Sequence, residues 1–335
     1  MDNNASPITH HPSLVLLCAI CFGLAWPACA QQYPNRPIRI IVPSTPGGSV
    51  DTLARTIGPR LSERWGHQVI VDNRSGAGGV IAAELTAKAP PDGYLLMLGT
   101  VASLGTNISL YKKLPYDPVR DFAPVTLVAT QNLMLVIHPS VPAKSVKELV
   151  RFAKAQSGKL SFASAGNGTG SHLSGELFKQ LAGVDILHIP YKGVQPAMVD
   201  VISGQVAINF PSILTALPHV RSGRVRALAV TGASRTRAAP ELPTMQEAGT
   251  KGYESATWYG IVAPAGTPQD IVTKLSTEIA ALLKQPDTHE RLSREGADPV
   301  GSSPQEFGRF MQSEIEKWRK VIRAAGRDSG DPMKL

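Results

Sequence analysis

From Pro37 onward, short apolar runs alternate with stretches in which apolar residues recur every third or fourth position. IRIIVP (38–43) reads as a strand, and in Ser49–Trp65 the residues Val50, Leu53, Ala54, Ile57, Leu61 and Trp65 carry the spacing of an amphipathic helix. QVIVDN (68–73) feeds RSGAGGVIAAELTAKA (74–89), and GYLLMLG (93–99) feeds a loop rich in Thr, Ser and Asn. Three successive strand, loop and helix units predict a parallel sheet with its loops gathered at the strands' carboxyl ends. The prolines of LPYDPVRDFAP (114–124) exclude a long helix there.

VTLVATQNLMLVIHP (125–139) is long for one strand, as expected of a strand that runs from one domain into the next. A second series follows. Ser145-Val-Lys-Glu148 is a capping box opening a helix. LSFAS (160–164), the loop AGNGTG (165–170) and a helix through Leu173, Leu177, Phe178 and Leu181 come next, then ILHIPYKG (186–193), QVAINFP (205–211) and VRALAVTG (225–232). YESATWYGIVAPAGTP (253–268) offers a return crossing. Thr267 and Ser303 stand at N-cap positions ahead of first-turn prolines. In the last helix Phe307, Phe310, Met311, Ile315, Trp318 and Ile322 form an apolar stripe expected to be core. The predicted class is α/β, with two open sheets joined by two crossover strands. Residues 31–129 plus 253–335 form one discontinuous domain, 130–252 an inserted second one, and a cleft lies between them.

The first 30 residues differ from the rest. SLVLLCAICFGLAW (13–26) is an unbroken apolar run, short for a bilayer span, and small residues at Ala28 and Ala30 fit cleavage of a secretory leader after Ala30. No Lys or Arg precedes the run, so either the amino terminus supplies the positive charge or the true start lies elsewhere. All three cysteines (Cys18, Cys21 and Cys29) fall in the leader, which excludes disulfides, thiolate catalysis and thiolate metal sites from the mature chain. A cysteine-free exported chain points to a bacterial periplasm. Beyond the leader 34 basic residues face 25 acidic ones, a net charge of +9. The charges are scattered and do not alternate with aromatics, so nucleic acid is not an expected partner and small anions suit the basic surface better.

The loop VPSTPGGSVD (42–51) places Thr45, Pro46, Gly47 and Gly48 at a strand end, with Ser49 or Asp51 able to cap the helix that follows. Glycines there let a ligand reach backbone N–H groups at a helix N-terminus; equally, a glycine pair marks a tight turn. SGAGG (75–79) and SAGNGTGSH (164–172) repeat the pattern. Neither dinucleotide nor Walker glycine spacing is present, and no cofactor is expected. Without a G-x-S-x-G elbow, Ser164, Ser171 and Ser174 have no nucleophile context. The six histidines after the leader contain no pair at metal-binding spacing. His172 alone stands in a candidate loop, where a helix first-turn hydrogen bond is the plainer role. Lys192 and Arg74 are auxiliary cations or ordinary surface residues.

VPSTPGGSVDTLAR, VDNRSGAGG, LYKKLPYDPVRDFAPVTLVA, SAGNGTGSHLSGELF, HIPYKGVQPAMVDVISGQV, RALAVT and APAGTP occur in order over 33–326. In these motifs the chain resembles the Bug family of periplasmic solute-binding proteins from tripartite tricarboxylate transporters. The resemblance implies a two-domain Venus-flytrap fold that grips a carboxylate through backbone amides of both domains. It carries onto Pro46, Gly47, Gly48 and Asp51, and in the inserted domain onto Ser164, Ala165, Gly166, Gly168, Thr169 and His172, with Tyr191, Lys192 and Gly193 nearby; Thr45 joins them by position. It implies a non-catalytic monomer that hands its ligand to integral-membrane transporter subunits or to a sensor. The alternative is an exported hydrolase or isomerase acting on a small carboxylate. Ser44 stands where relatives often have an aromatic residue, and Asn209-Phe210-Pro211 where they often carry an acid, so a relative's specificity does not transfer.

Overall fold

Burial at four of its five positions places strand β1 (Ile38–Val42) inside a sheet, between β2 (Val69–Asn73) and β3 (Leu95–Thr100). Both neighbours run parallel to it, with Ile40 opposite Val71 and Leu96. Parallel neighbours need crossovers, supplied by helices α1 (Ser49–Trp65) and α2 (Val80–Ala87). The computed structural model describes residues 1–2, 33–294 and 296–329; the apolar run of the expected leader and the junction after Ala30 lie outside them. The described residues from 36 onward form one compact unit.

After β3 the expected polar loop is instead helical: a wide π turn over Ala102–Thr106 runs into the short helix α3 (Asn107–Leu110). Ala102 through Asn107 are buried, and a buried segment satisfies its backbone most economically by coiling on itself. The first sheet is completed by β4 (Phe122–Asn132), by β10 (Ala256–Pro264), antiparallel to both β3 and β4, and by the edge strand β11 (Ala297–Pro299), in the order β11-β4-β10-β3-β1-β2.

The long apolar run breaks at Leu133, and β5 (Met134–Ile137) enters the second sheet, whose order is β7-β6-β8-β5-β9. Here β6 (Ser161–Ser164) lies parallel to β7 (Leu187–Pro190) and to the two-residue β8 (Ile208–Asn209), while β9 (Arg226–Val230) is antiparallel to β5. Helices α4 (Val146–Ala155), α5 (Gly170–Ala182), α6 (Val194–Ile202) and α7 (Ile213–Arg221) connect these strands. The α4 cap is as the sequence predicts, with Ser145 accepting from the Glu148 amide.

At the waist Leu133 and Thr231 exchange hydrogen bonds and the Thr231 carbonyl accepts from Ser255, pinning the segments that cross between sheets. A Cβ on Gly232 would sit 1.8 Å from Asn132 Oδ1, so glycine is what lets the segments approach so closely. The chain closes with α8 (Gln269–Leu283), α9 (Pro286–Arg294) and α10 (Pro304–Ser329). Ser303 and Glu306 form a full capping box for α10, whereas the Thr267 hydroxyl donates to Pro264 O and leaves Pro268 as the cap of α8. The α10 stripe is core: Phe307 and Trp318 are fully buried beside Trp258, and both indoles donate to the buried Glu314.

Candidate functional site

Loops at the carboxyl ends of β1, β2 and β3 meet loops following β6, β7 and β8. Ser49 Oγ donates to Ser212 Oγ across 2.8 Å, and Thr106 Oγ1 donates to the Gly168 carbonyl across 2.9 Å. A Cβ on Gly78 would stand 3.3 Å from the Asn167 carbonyl, and one on Gly193 3.7 Å from Thr45 Oγ1. The two sheets' loop clusters are therefore in contact along a seam.

Within the first loop Thr45, Pro46 and Gly47 are exposed and Gly48 is buried. Gly47 takes a φ of +80°, which glycine tolerates, and donates its N–H to Asp51 Oδ2 at 2.9 Å. Asp51, only 3% exposed, also accepts from Arg55 and from Asn73 Nδ2. Burial pushes its carboxyl upward, but the Gly47 amide, Arg55 and Asn73 outweigh it and hold it below the ordinary value. Asp51 thus shapes the loop. Arg74 pairs with Asp72 instead of serving the loop.

The second loop is braced the same way. Ala165 donates to Ser171 Oγ, Gly166 to Ser164 Oγ, Gly168 to His172 Nδ1 and Thr169 to the Gly166 carbonyl. In this structure the amides of Gly47, Ala165, Gly166, Gly168 and Thr169 all have acceptors inside the chain, a feature that glycine spacing alone does not reveal. The first turns of α1 and α5 lack a side-chain cap, since Gly48 has no side chain and Thr169 makes no capping bond, so their leading N–H groups have no capping acceptor. Tyr191 turns its hydroxyl to Asp200 at 2.5 Å, and burial followed by that bond pushes it up to about 12; Lys192 is exposed at the rim.

Three buried polar atoms of these loops have no hydrogen-bond partner: Ser44 Oγ, Asn107 Oδ1 and His172 Nε2. The Asn107 amide nitrogen donates to Gly78 O and to the Tyr116 hydroxyl, which aims its oxygen toward the space flanked by Gly78 and Gly168. An orphaned buried acceptor marks a place for a donor to arrive. Asn107, Thr106 and Ser212 were not among the expected site residues; the signal for the first two was a polar cluster at the end of the third strand.

Ser164 Oγ lies 2.6 Å from His188 Nε2, the geometry of a nucleophile beside its base. Ser164, however, is fully buried and its oxygen already accepts the Gly166 N–H. His188 stacks on His172 at 4.0 Å and on Phe162 at 4.8 Å. Burial lowers His188 to about 4, with Lys179 adding to the effect; burial, His188 and Lys179 push His172 well below the ordinary range. Both imidazoles are neutral at pH 7, and His172 then carries its proton on Nε2 because Nδ1 accepts from Gly168. A depressed histidine means the unfolded chain binds more protons, so its stabilising share is complete above pH 6.5 and drains away toward pH 4. Melting temperature is expected to fall over that window, and His188→Asn should flatten the slope; an unchanged slope would show that the stack does not titrate.

The chain matches the family described as "Tripartite tricarboxylate transporter family receptor" over residues 53–327. Protein BugT of Bordetella pertussis is 39% identical over 305 residues, covering 91% of this chain and 94% of BugT. This chain belongs to the tripartite tricarboxylate transporter receptor family. A Rhodopseudomonas palustris structure with adipate shares 41% identity with the receptor at a TM-score of 0.85, covering 88% of this chain and 98% of its own. MatC from Rhodopseudomonas palustris with bound malate shares 34% identity at a TM-score of 0.80, covering 86% and 99%. The receptor is accordingly a two-domain solute-binding protein, and the buried Ser164–His188 pair frames a loop in a binding fold.

Proposed function

We propose that the receptor is exported to the periplasm with removal of its leader after Ala30. There it captures a small carboxylate as a monomer, without chemical change, for delivery to integral-membrane transporter subunits or a sensor. The halves that close are residues 31–129 plus 253–335 and the inserted 130–252. The observation that carries this reading is the seam itself: uncapped first turns of α1 and α5, an unpartnered Ser44 hydroxyl and an unpartnered Asn107 carbonyl, all where loops of the two halves meet. The relatives solved with adipate and malate support a carboxylate.

The roles divide by chemistry. First-turn amides and the Ser44 hydroxyl donate to the carboxylate, while Asn107 Oδ1, an acceptor, suits a ligand hydroxyl or an ordered water. Gly47, Gly48, Gly166 and Gly168 keep side chains out; Asp51, Ser164, Ala165, Thr169 and His172 hold the loops; Thr45, Pro46, Tyr191 and Lys192 form the rim. Each charge-assisted bond contributes about 1.5–3 kcal/mol, so three or four approach the roughly 8 kcal/mol of a micromolar complex.

The test is a thermal-shift screen of the chain from Gln31 onward against dicarboxylates including adipate and malate, acidic amino acids and aromatic acids, followed by titration calorimetry. At least one compound should raise the melting temperature, bind one to one and be recovered intact. No stabilising carboxylate, or steady conversion of the compound that binds, would overturn the proposal.

A further inference from the structure

On the outer surface, a groove of about 710 Å³ runs between α7 with the segment after β9 on one side and α8 with α9 on the other. Its floor is apolar, from Leu217, Ala238 and Pro286, and its walls carry Arg221, Arg237, Lys284 and Arg294 against one carboxylate, Glu290. Glu290 is taken up by Arg294. Among the described residues Arg221, Arg237 and Lys284 have no ion-pair partner within salt-bridge distance; the nearby Asp298 lies in the field of Arg237 and His289. None of the ligand-site loops lines this groove. Surface cations normally scatter among acids, and elsewhere on this chain many do so, as in Arg36–Asp92, Arg60–Asp287 and Arg235–Glu247. Here they converge on one trough.

We propose that this groove docks an acidic segment of a partner protein. The occupant is a peptide because the cations are exposed on long side chains around an open trough. A small anion would need donors pre-set in a buried pocket, whereas an extended acidic strand meets separated cations in turn and lays its stem on the apolar floor. The trough also draws its walls from elements of both sheets, so a segment lying in it touches both halves of the receptor. This docking reading stands apart from the ligand assignment and survives its failure.

The experiment is fluorescence anisotropy of labelled hexaglutamate with the chain from Gln31 onward, run beside inorganic tripolyphosphate as competitor and phosphatidylglycerol vesicles. Hexaglutamate should bind, weaken as salt rises, and lose about tenfold in affinity in R221E/R237E/K284E, each exposed pair contributing a few-fold. K112E/K159E/K320E makes the same charge change at exposed positions elsewhere and should bind as the unaltered chain does. The single variant K284Q, expected to weaken binding about twofold, serves if the triple variant does not fold. Equal loss in both triple variants, competition by tripolyphosphate at equal charge concentration, vesicle binding through these cations in place of hexaglutamate, or no hexaglutamate binding would each overturn the proposal.

Discussion

Oxidised Ser49→Cys/Ser212→Cys receptor is expected to hold its two halves shut and to slow ligand exchange by orders of magnitude, with full recovery on reduction. The hydroxyl oxygens of these residues are 2.8 Å apart in the seam, one opening α1 and the other capping α7. A disulfide needs sulfur atoms about 2.05 Å apart with Cβ atoms near 4 Å, within small adjustment of that spacing. No thiol follows Cys29 in the sequence, so the introduced pair has no competitor in the chain from Gln31 onward. Ser212 also accepts from the Thr215 amide, and losing that cap destabilises by about 1 kcal/mol, which the single variant Ser212→Cys isolates. The measurement is the dissociation rate of bound ligand with and without reductant, the bond being verified by mass. Exchange at the unaltered rate with the disulfide intact would mean that ligand does not enter through this seam.

Gly168→Ala should weaken ligand binding by at least about tenfold, roughly 1.4 kcal/mol, while moving the melting temperature only a few degrees. Two costs combine. The backbone there has φ +75°, which costs an alanine about 1–2 kcal/mol. The new methyl would also stand 2.5 Å from Leu110 Cδ1 and 2.9 Å from Thr106 Oγ1, both carried by the opposite half. Opening the seam relieves that overlap, so the penalty falls chiefly on the closed, ligand-holding state. Gly47→Ala is the matched control: φ is +80°, but nothing lies within 4 Å of the new methyl, so only the backbone cost applies. Calorimetry giving equal affinities for the two variants would remove steric closure from the account.

The two variants also mark where sequence reasoning reaches. The helix Ser49–Trp65 was legible to its last residue, because apolar spacing and a glycine on each side define it locally. So were the paired α/β series and the crossings, since strand-like runs too long for one sheet leave few topologies. What failed was burial of polar residues. VASLGTNISL reads as a loop by composition, yet the fold encloses it and makes it coil, carrying Asn107 into the seam. Likewise the glycines announced two loops, but which amides stay free depends on Asp51, Ser164, Ser171 and His172 folding back onto them. Those partners are set by three-dimensional packing, as is the meeting of Ser164 with His188, 24 positions away.

Exported as proposed, the receptor takes the acidity of the surrounding medium as it finds it. Here His188, stacked on His172 beside the 164–168 loop, stays uncharged until about pH 4. Acidification would therefore act on a ligand's carboxylate and on the loop that frames it over neighbouring pH ranges, the carboxylate protonating near its ordinary value of about 4.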